Sequence, residues 1–380
     1  MELKSIHIAL TNLDFESRIF KQANTISKIK NISSVILFGI SSNSYKPIKF
    51  LNEKVKIYKH EKKFKFKPIE FIRYFLFIRK NLKKNDYLIF HFHSVKILIY
   101  LIPIKILFKN SKIVYDTHEL ETETMGLKGF KKIILKLIEK KLIYHADLSV
   151  FVNESIKNWY HKKYSFNLNS VVLYNSPSEN WITQKKHNIF RKKKYVTNNK
   201  PIILYQGFFA KGRGIEKMIE NIKNLKKNNF NFVFLGYGPL ESLIVNTAKN
   251  NKYMIFIPSV DLSLLPIYTS SADFGLALIE NKCLSYNLCL PNKFFEYSAS
   301  ALPIICSDLF EMRKLIDNYN SGFILKNNSL DEFELMLKKL NRIDYKVYSG
   351  NSLKMFKEFN WEKQAKNYIS KLKEIINDFM

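Results

Sequence analysis

The stretch LPNKFFEYSASALPIICSD, residues 290–308, contains the pattern that decides the fold. Pro291 favours the start of a helix, and the apolar residues at 303–306, two of which are β-branched, predict a strand directly after that helix. Glu296 is unusual here, because its aromatic neighbours predict a buried segment. An ionised carboxylate in such a segment is costly unless a partner binds it, so Glu296 is a candidate binding residue.

The same alternation of apolar strands and amphipathic helices continues along the chain in both directions. Alternating strands and helices predict an α/β fold of parallel sheets covered on both faces, and the repetition predicts two doubly wound domains. The predicted strands are residues 5–10, 34–39, 87–91, 112–115, 148–152, 201–205, 230–235, 254–257, 274–278, 303–306 and 322–325. The clearest predicted helices are residues 17–29, 133–143, 215–226 and 240–249.

The boundary between the domains is predicted from a loss of periodicity. Residues 177–200 contain several Asn and the run RKKK, and the apolar strand PIILYQG follows them. We therefore predict one domain over residues 1–180, a linker over 181–200 and a second domain over 201–358. The amphipathic segment 359–380 is predicted to form a final helix.

The chain is strongly basic, with a formal charge of +29, and this charge favours anionic partners. Of the 62 basic residues only seven are arginines, whereas nucleic-acid readers usually depend on arginine. A phosphorylated ligand or an anionic membrane surface is therefore expected, and nucleic acid is not. An AT-rich genome would also favour this excess of lysine.

Other features of the composition predict the compartment. The three cysteines form no CxxC pair, which argues against a disulfide scaffold or a zinc finger and favours the cytoplasm. The N-terminus lacks the pattern of a signal peptide. The most apolar run, residues 95–108, is too short to span a bilayer and is expected to form a buried helix.

Residues 45–85 carry 14 basic residues against three acids, interleaved with aromatic and aliphatic residues. This composition predicts contact with an anionic membrane. A solvated lysine face over an ordinary core helix is the alternative interpretation.

Two glycine-rich turns follow predicted strands in the second half of the chain. In YQGFFAKGRG, Gly207 ends a strand, and Lys211 and Arg213 precede a helix near Ile215, an arrangement typical of a diphosphate site. A basic surface turn is the alternative. In GYGP, the Gly238 turn leads into a further helix and is more typical of a structural turn.

The helix after Pro291 has the dimensions of a nucleotide site. Asn292 and Lys293 lie at its start, and Glu296 lies roughly 7 Å further along the axis from Pro291. A diphosphate on the helix N-terminus would place ribose hydroxyls near the Glu296 carboxylate. The alternative is an exposed ion pair between Lys293 and Glu296.

Polar side chains also end two strands of the first half. Asp116, His118 and Glu119 end the strand KIVYD, where a histidine beside carboxylates can orient a hydroxyl or carry a proton. A capped strand end with an acidic loop is the alternative. In HFH, His91 and His93 share one face, but the sequence offers no evident third ligand, so no metal site is predicted.

Taken together, these motifs resemble the GT-B glycosyltransferases, specifically the retaining family 4 group of bacterial surface-polysaccharide synthesis. The resemblance covers almost the whole chain and lies in the order of its motifs. They are DFESRIFKQANTISK, YDTHE, LYNSPS, YQG with GRG, GYGP, SSADFGLALIE, LPNKFFEYSASALPII and FNWEKQAKNYI.

The resemblance implies two Rossmann-like domains that face a central cleft, the first binding the acceptor and the second the nucleotide-sugar. Arg213 matches the basic residue that binds the diphosphate, and Glu296 matches the acid that holds the ribose. Three positions match the loop and helix start that receive the phosphates, namely Pro291, Asn292 and Lys293. His118 matches the histidine near the reacting carbon, and Arg18 lies in the matching first helix.

Three positions depart from the family pattern. Phe208 stands where the family often has arginine, and Leu288 stands where the first acid of its glutamate pair is usual. The segment ALTNLDFES lacks the glycines of the acceptor loop. The sugar identity therefore does not follow from the sequence.

The predicted reaction transfers a hexose-type sugar from a UDP- or GDP-sugar to a hydroxyl of a lipid-linked glycan, with retention. The expected catalytic residues are His118, Arg213 and Glu296, the expected donor contacts include Gly207, Lys211 and Gly238, and Arg18, Asp116 and Glu119 are expected near the acceptor or sugar. No DxD pair stands in a suitable context, so neither a metal nor another cofactor is expected. Peripheral association with the inner face of the cytoplasmic membrane is expected. A nucleotide-sugar epimerase of the same architecture or a non-catalytic relative are the alternatives.

Overall fold

The computed structural model of the chain describes residues 2–14, 16–41, 52–63, 67–164, 167–183 and 186–378. Parts of the basic segment 45–85 lie outside these residues. The chain divides into two compact units. The first comprises Met1–Leu173 and Gln364–Met380, and the second comprises Tyr174–Lys363.

The first unit is built on a parallel sheet. Its described strands are β1 (Leu3–Ile8), β2 (Ile32–Ser41), β3 (Val55–Glu61), β4 (Tyr87–Phe92), β5 (Ser111–Asp116), β6 (Leu148–Phe151) and β7 (Ser170–Val172). They lie in the order β3-β2-β1-β4-β5-β6-β7. The helices that alternate with them are α1 (Ser17–Ile26), α2 (Lys67–Lys80), α3 (Leu101–Leu107), α4 (Gly129–Leu142) and α5 (Glu154–Lys163). The strand order switches sides at β1, which pairs in parallel with β2 on one side and with β4 on the other.

The second unit repeats this plan. Its described strands are β8 (Ile202–Phe208), β9 (Asn231–Tyr237), β10 (Met254–Pro258), β11 (Phe274–Ala277), β12 (Ile304–Ser307) and β13 (Gly322–Leu325), in the parallel order β10-β9-β8-β11-β12-β13. The helices are α6 (Ile189–Lys192), α7 (Ile215–Asn224), α8 (Glu241–Lys249), α9 (Leu265–Thr269), α10 (Leu284–Asn287), α11 (Asn292–Ala299), α12 (Phe310–Tyr319), α13 (Leu330–Leu340) and α14 (Tyr345–Phe359). The predicted α/β class with two doubly wound parallel sheets is confirmed.

Strand β8 shows why these apolar runs form central strands. Ile202 and Leu204 enter the core on one face of the sheet, whereas Ile203 and Tyr205 enter the core on the other. A strand covered by helices on both faces must be apolar on both, which explains its nearly continuous apolar sequence.

The last helix, α15 (Trp361–Asn377), follows the second unit in the chain. From Gln364 onward it belongs to the first unit. Tyr368 and Leu372 are fully buried there, and the Tyr368 hydroxyl lies 3.2 Å from Nδ1 of His91 on β4.

The structure differs from the sequence-based expectations at three places. Strands β3 and β7 were not predicted, because β3 carries alternating charges and β7 has only three residues. Residues 181–200 do not form a separate linker, since Phe190 is fully buried in the core of the second unit. The run 95–108 is a 3-10 helix (Val95–Tyr100) followed by α3, and it is buried on one side only.

Candidate functional site

The turn at the end of β8 depends on two paired glycines. Gly207 on β8 lies opposite Gly236 on β9. A Cβ atom on Gly236 would lie 1.9 Å from the Gly207 carbonyl oxygen, so no larger residue fits there. Gly207 has a φ of +112°, which lies outside the range that other residues readily adopt. The chain then reaches α7 through Gly214, which has a left-handed conformation and, lacking a side chain, leaves the helix N-terminus without a side-chain cap.

Lys293 on α11 lies directly over this turn. Its Nζ is 3.5 Å from the ring centroid of Tyr205, and a Cβ atom on Gly207 would lie 3.8 Å from its Cε. Burial and the nearby Arg213 guanidinium hold the pKa of Lys293 well below its usual range. Across the described residues, neither Lys293 nor Arg213 forms an ion pair with a carboxylate. Glu296 offsets this repulsion only in part, so the two cations form a candidate site for an anion.

Glu296 has a partner on the central strand of the second sheet. Its Oε2 accepts a hydrogen bond of 2.5 Å from Nε2 of Gln206, and the Gln206 Oε1 accepts one of 2.8 Å from the hydroxyl of Thr269. The Gln206 backbone is fixed as well, because its N–H donates to the hydroxyl of Tyr297. The carboxylate is therefore held in one orientation on the same helix that carries Lys293, one turn further along.

Gln206 is a site residue that the sequence analysis missed. It is a polar residue inside the apolar strand IILYQGF, and this was the available signal. Replacing Gln206 with leucine is expected to weaken binding of UDP or GDP by about tenfold, because Glu296 loses the hydrogen bond that orients it. Isothermal titration measures the effect. Gln206→Glu cannot donate to Glu296 and places a second carboxylate beside it, so it should weaken binding at least as much. An unchanged Kd for Gln206→Leu would contradict this role.

The remaining predicted donor contacts lie on the loops and helix starts of the second unit. Arg213 is half-buried, with its guanidinium 5.5 Å from the ring centroid of Tyr286, whereas Lys211 is exposed. Gly238 has a structural reason to be glycine, because a Cβ there would lie 2.6 Å from the Phe209 carbonyl oxygen.

Pro291 is the N-cap of α11, and no side chain caps that helix start. The Asn292 Oδ1 accepts a hydrogen bond of 2.7 Å from Asn175, so this side chain is already engaged. Lys293 contacts Gly207, and Arg213 and Glu296 both lie close enough to Lys293 to act on its charge. Lys211 makes no polar contact with a described residue.

Two of the three departures from the family pattern, Phe208 and Leu288, lie near this region. Neither supplies a charged side chain. Phe208 is half exposed and packs edge-on against Tyr237, with ring centroids 5.3 Å apart. Leu288 is the residue at which α10 ends. Glu280, the nearby acid, forms an ion pair with Lys282.

In the first unit, a buried ion pair lies at the end of β5. Arg18 NH2 lies 2.6 Å from Asp116 Oδ1, and Arg18 NH1 donates to the Leu173 carbonyl oxygen at 2.6 Å. Gln22 also donates to Asp116, at 2.7 Å. Arg18 is 3% exposed and Asp116 0%, so the expectation that they contact acceptor or sugar is corrected. Their polar atoms are occupied within the unit, and their role is to hold neighbouring groups in position.

His118 is the accessible member of this cluster. Its Nε2 lies 3.1 Å from Nδ1 of His93 and 3.3 Å from Oδ2 of Asp116, and its side chain is 25% exposed. Its Nδ1 lies 4.0 Å from a carboxylate oxygen of Glu16. Glu119 next to it is exposed. His118 can therefore present one ring nitrogen to a ligand while the other faces the buried groups.

Behind His118, a chain of buried imidazoles leads into the core of the first unit. The His93 Nε2 lies 2.9 Å from Nδ1 of His7, and the His7 ring stacks on His91 with centroids 4.2 Å apart. Burial lowers the pKa of His7, of His93 and of His91, the last to about 3. Neutral imidazoles both donate and accept hydrogen bonds, so this row of buried histidines can fix the orientation of the His118 ring.

The structure also supplies what HFH lacked in sequence, namely further ligand types beside His93. One ligand atom each of His93, Asp116 and His118 lie within 4.8 Å of one another, a spacing that a metal ion could use. However, the Arg18 guanidinium already binds the Asp116 carboxylate on two nitrogens. Arg18, and after it the hydrogen bonds with His118 and His93, hold the pKa of Asp116 well below its usual range despite its burial. A cation already compensates this carboxylate, and we assign no metal here.

These features define a class of protein before any comparison: a two-unit doubly wound α/β protein with a candidate anion site at the end of a central strand. Residues 186–348 match the family described as "Glycosyl transferases group 1". These residues are therefore similar to a group 1 glycosyl transferase domain, and the expected resemblance to the GT-B glycosyltransferases is confirmed.

Two curated proteins are among its relatives. The capsular polysaccharide biosynthesis glycosyltransferase CapM of Staphylococcus aureus is 24% identical over 265 residues, which are 68% of this chain and 66% of CapM. The chitobiosyldiphosphodolichol beta-mannosyltransferase of Candida albicans is 22% identical over 286 residues, which are 68% of this chain and 60% of that protein. The chain thus spans about two thirds or less of the length of these curated relatives.

Solved structures show the same fold. Sucrose-phosphate synthase from Thermosynechococcus elongatus superposes with a TM-score of 0.79 at 14% identity and covers 100% of both chains. Anabaena HepE, solved in complex with UDP and glucose, superposes with a TM-score of 0.73 at 8% identity, over 98% of this chain and 99% of that one.

Proposed function

We propose that this protein is a glycosyltransferase that moves a hexose-type sugar from a UDP- or GDP-sugar to a hydroxyl group of a glycan. One observation carries the proposal, namely the two cations Lys293 and Arg213 that converge on the Gly207 turn beside Glu296. A nucleoside diphosphate offers the matching groups, a charged diphosphate and a ribose with two hydroxyls. Support also comes from the group 1 domain and from HepE, whose structure contains UDP.

In the proposed reaction, the bond between the sugar's anomeric carbon and the diphosphate oxygen breaks. The electron pair goes to the diphosphate, the acceptor oxygen forms the new bond, and its proton is released. The main catalytic task is to stabilise the growing charge on the diphosphate. Lys293, Arg213 and the uncapped start of α11 would do this without a metal. Glu296 would hold the ribose, and His118 would position a sugar or acceptor hydroxyl.

The acceptor and the setting follow from weaker support. CapM, by its name, acts in capsular polysaccharide biosynthesis, and the mannosyltransferase is named for a dolichol-linked substrate. We propose a lipid-linked glycan as acceptor, in O-antigen or capsule synthesis at the inner face of the cytoplasmic membrane. We also propose retention of configuration. One relative is named a β-mannosyltransferase. The anomeric configuration of the product is therefore measured separately, by NMR.

The proposed donor class is tested by thermal stabilisation with a panel of UDP-, GDP- and ADP-sugars, followed by a hydrolysis assay on each donor that stabilises the protein. A glycosyltransferase releases free sugar and nucleoside diphosphate slowly without acceptor. An epimerase would instead return an isomeric nucleotide-sugar, and a non-catalytic relative would bind without turnover. The proposal fails if no nucleotide-sugar binds.

Binding of UDP or GDP is expected to take up protons through Lys293. Its pKa is lowered in the free protein, and a bound diphosphate raises it again, so protons move from buffer to protein on binding at a pH between the free-state and the bound-state pKa. Isothermal titration in buffers of different ionisation enthalpy measures this uptake. Lys293→Gln should abolish it, and Lys211→Gln, at an exposed lysine, should leave it intact. An unchanged uptake in Lys293→Gln contradicts the assignment of Lys293 to the diphosphate.

A further inference from the structure

Helix α4 presents its apolar residues to solvent. Of its 14 residues only Glu139 is fully buried. Phe130, Ile133 and Leu137 follow one another at helical spacing on the outer side, and Phe130 is 75% exposed. An amphipathic helix in a globular protein normally has the opposite orientation, with its apolar stripe toward the core.

The orientation of α4 is fixed by hydrogen bonds. The buried Glu139 carboxylate accepts hydrogen bonds from three tyrosine hydroxyls, Tyr115 at 2.7 Å, Tyr160 at 2.5 Å and Tyr164 at 2.9 Å. Such a network positions the helix from its polar side, which leaves the apolar stripe available for a partner.

Two neighbouring elements have exposed apolar stripes as well. In the segment 95–107, Ile99, Ile102 and Ile106 are exposed, the last by 69%. This segment packs against α4, and through Tyr100 it also packs against α2, where the Tyr100 hydroxyl donates to the Phe71 carbonyl oxygen at 2.6 Å. The exposed sides of α2, of residues 95–107 and of α4 are called the apolar–basic face below.

On α2, the exposed apolar residues again recur at helical spacing, at Ile69, Ile72 and Leu76. A groove of about 360 Å³ lies beside this stripe, between α2 and α3. Its lining includes three basic residues, Arg79, Lys80 and Lys84. The apolar stripe of α2 thus ends in a basic patch.

The charge on the apolar–basic face has a single sign. Within residues 67–80, 95–107 and 129–142 the only acids are Glu70 and Glu139, and both are buried. Glu70 is paired with Arg73. The exposed charges on these three stretches are therefore all positive, and they include Lys131, Lys140 and Lys141 on α4.

We propose that the apolar–basic face docks on an anionic lipid bilayer. Exposed Phe, Ile and Leu suit insertion at the boundary of the acyl chains, and the surrounding lysines suit anionic head groups. A second copy of this chain fits less well, because it would bring positive charges together. No helix in the described part of the chain is long and apolar enough to cross a membrane, so the contact is interfacial. The apolar–basic face is the surface through which the proposed peripheral membrane association would occur. All of its residues lie in the first unit, so this contact does not depend on the donor site of the second unit.

Co-sedimentation of the full chain with vesicles tests the proposal, in the absence of donor and acceptor. Wild-type protein should bind phosphatidylcholine vesicles that contain phosphatidylglycerol and not vesicles that lack it. The triple variant Lys131→Gln, Lys140→Gln and Lys141→Gln should partition at least about tenfold more weakly. The double variant Ile133→Ser and Leu137→Ser should lose binding to a similar extent, because the apolar contact is removed.

Matched controls come from exposed residues of the second unit. Lys223→Gln, Lys227→Gln and Lys338→Gln remove the same charge, and Leu262→Ser with Leu335→Ser remove a similar apolar area. Both control variants should bind like wild type. If the α4 lysine variant and the control lysine variant lose vesicle binding equally, the binding reflects only the net charge of the protein. That result would overturn the proposal. If wild-type protein does not bind vesicles but forms a dimer, and the Ile133→Ser and Leu137→Ser double variant abolishes that dimer, the face binds a second copy of this chain instead. That result would also overturn the proposal.

These outcomes are separate from those of the proposed reaction. Vesicle binding needs no nucleotide, and nucleotide binding is measured without vesicles. The bilayer proposal fails if wild-type protein ignores anionic vesicles, whatever the donor assay gives. The transfer proposal fails if no nucleotide-sugar binds, whatever the vesicles show.

Discussion

Replacing Arg213 with alanine is expected to lower kcat by about 10²–10³-fold with whichever nucleotide-sugar serves as donor. Removing one preorganised group that stabilises developing charge typically costs this much. Arg213 is half-buried and forms no ion pair among the described residues, so its charge is available to a bound diphosphate. Because the residue supports no core packing, the thermal midpoint should remain close to that of wild type.

Glu296→Ala forms the second arm of the same prediction. The loss of charged hydrogen bonds to the ribose should raise KM by about 100-fold, and turnover should fall below detection at ordinary donor concentrations. Glu296→Gln keeps the shape but lacks the charge, so it should fall between alanine and wild type.

Arg342→Ala, at an exposed arginine of the same unit, provides the control and should retain full activity. Unchanged turnover in both Arg213→Ala and Glu296→Ala would refute the proposed donor site.

The largest expected effect on stability comes from Arg18→Met. It leaves the Asp116 carboxylate fully buried without its main counter-charge, which should lower the free energy of unfolding by about 3–5 kcal/mol. Urea unfolding followed by circular dichroism measures the loss. The deficit should shrink as the pH falls, because without Arg18 the pKa of Asp116 rises and the carboxyl group can take up a proton in the folded state.

A less buried pair of the same length in the same unit provides the comparison. Lys59 Nζ and Asp14 Oδ1 also lie 2.6 Å apart, but the side chains are 10% and 29% exposed, whereas Asp116 is fully buried. Lys59→Met should cost no more than about 1 kcal/mol, because water can solvate Asp14. If Arg18→Met and Lys59→Met cost the same, the buried pair does not hold the end of β5 in place.

The sequence predicted the central strands well and the edges poorly. Strand β8 is apolar on both faces because helices cover both, and a run of this kind is visible without any partner. Strand β3 lies at the edge of its sheet, and its charged residues alternate with apolar ones, so its strand character depends on pairing with β2. The run 95–108 was expected to be buried because its composition is apolar, but composition does not say which side meets the core.

The candidate site divides in the same way. The glycine turn, Lys293 and Glu296 could be predicted as candidates because backbone geometry and helix spacing are local properties. Gln206 was missed because it lies 90 residues from Glu296 in the chain. Arg18 and Asp116 were expected to meet a ligand, since nothing local shows that two residues 98 positions apart neutralise each other.

By itself, the sequence determined the alternation of strands and helices, the glycine turns and the order of the motifs along the chain. These features follow from local backbone conformation and from the period of apolar residues, which each segment carries alone. Only the tertiary structure decided which charges are paired and which are open to a ligand, and which way the stripe of α4 faces. Those outcomes depend on contacts between distant segments, and a buried carboxylate such as Glu139 can turn a helix against its own hydrophobic pattern.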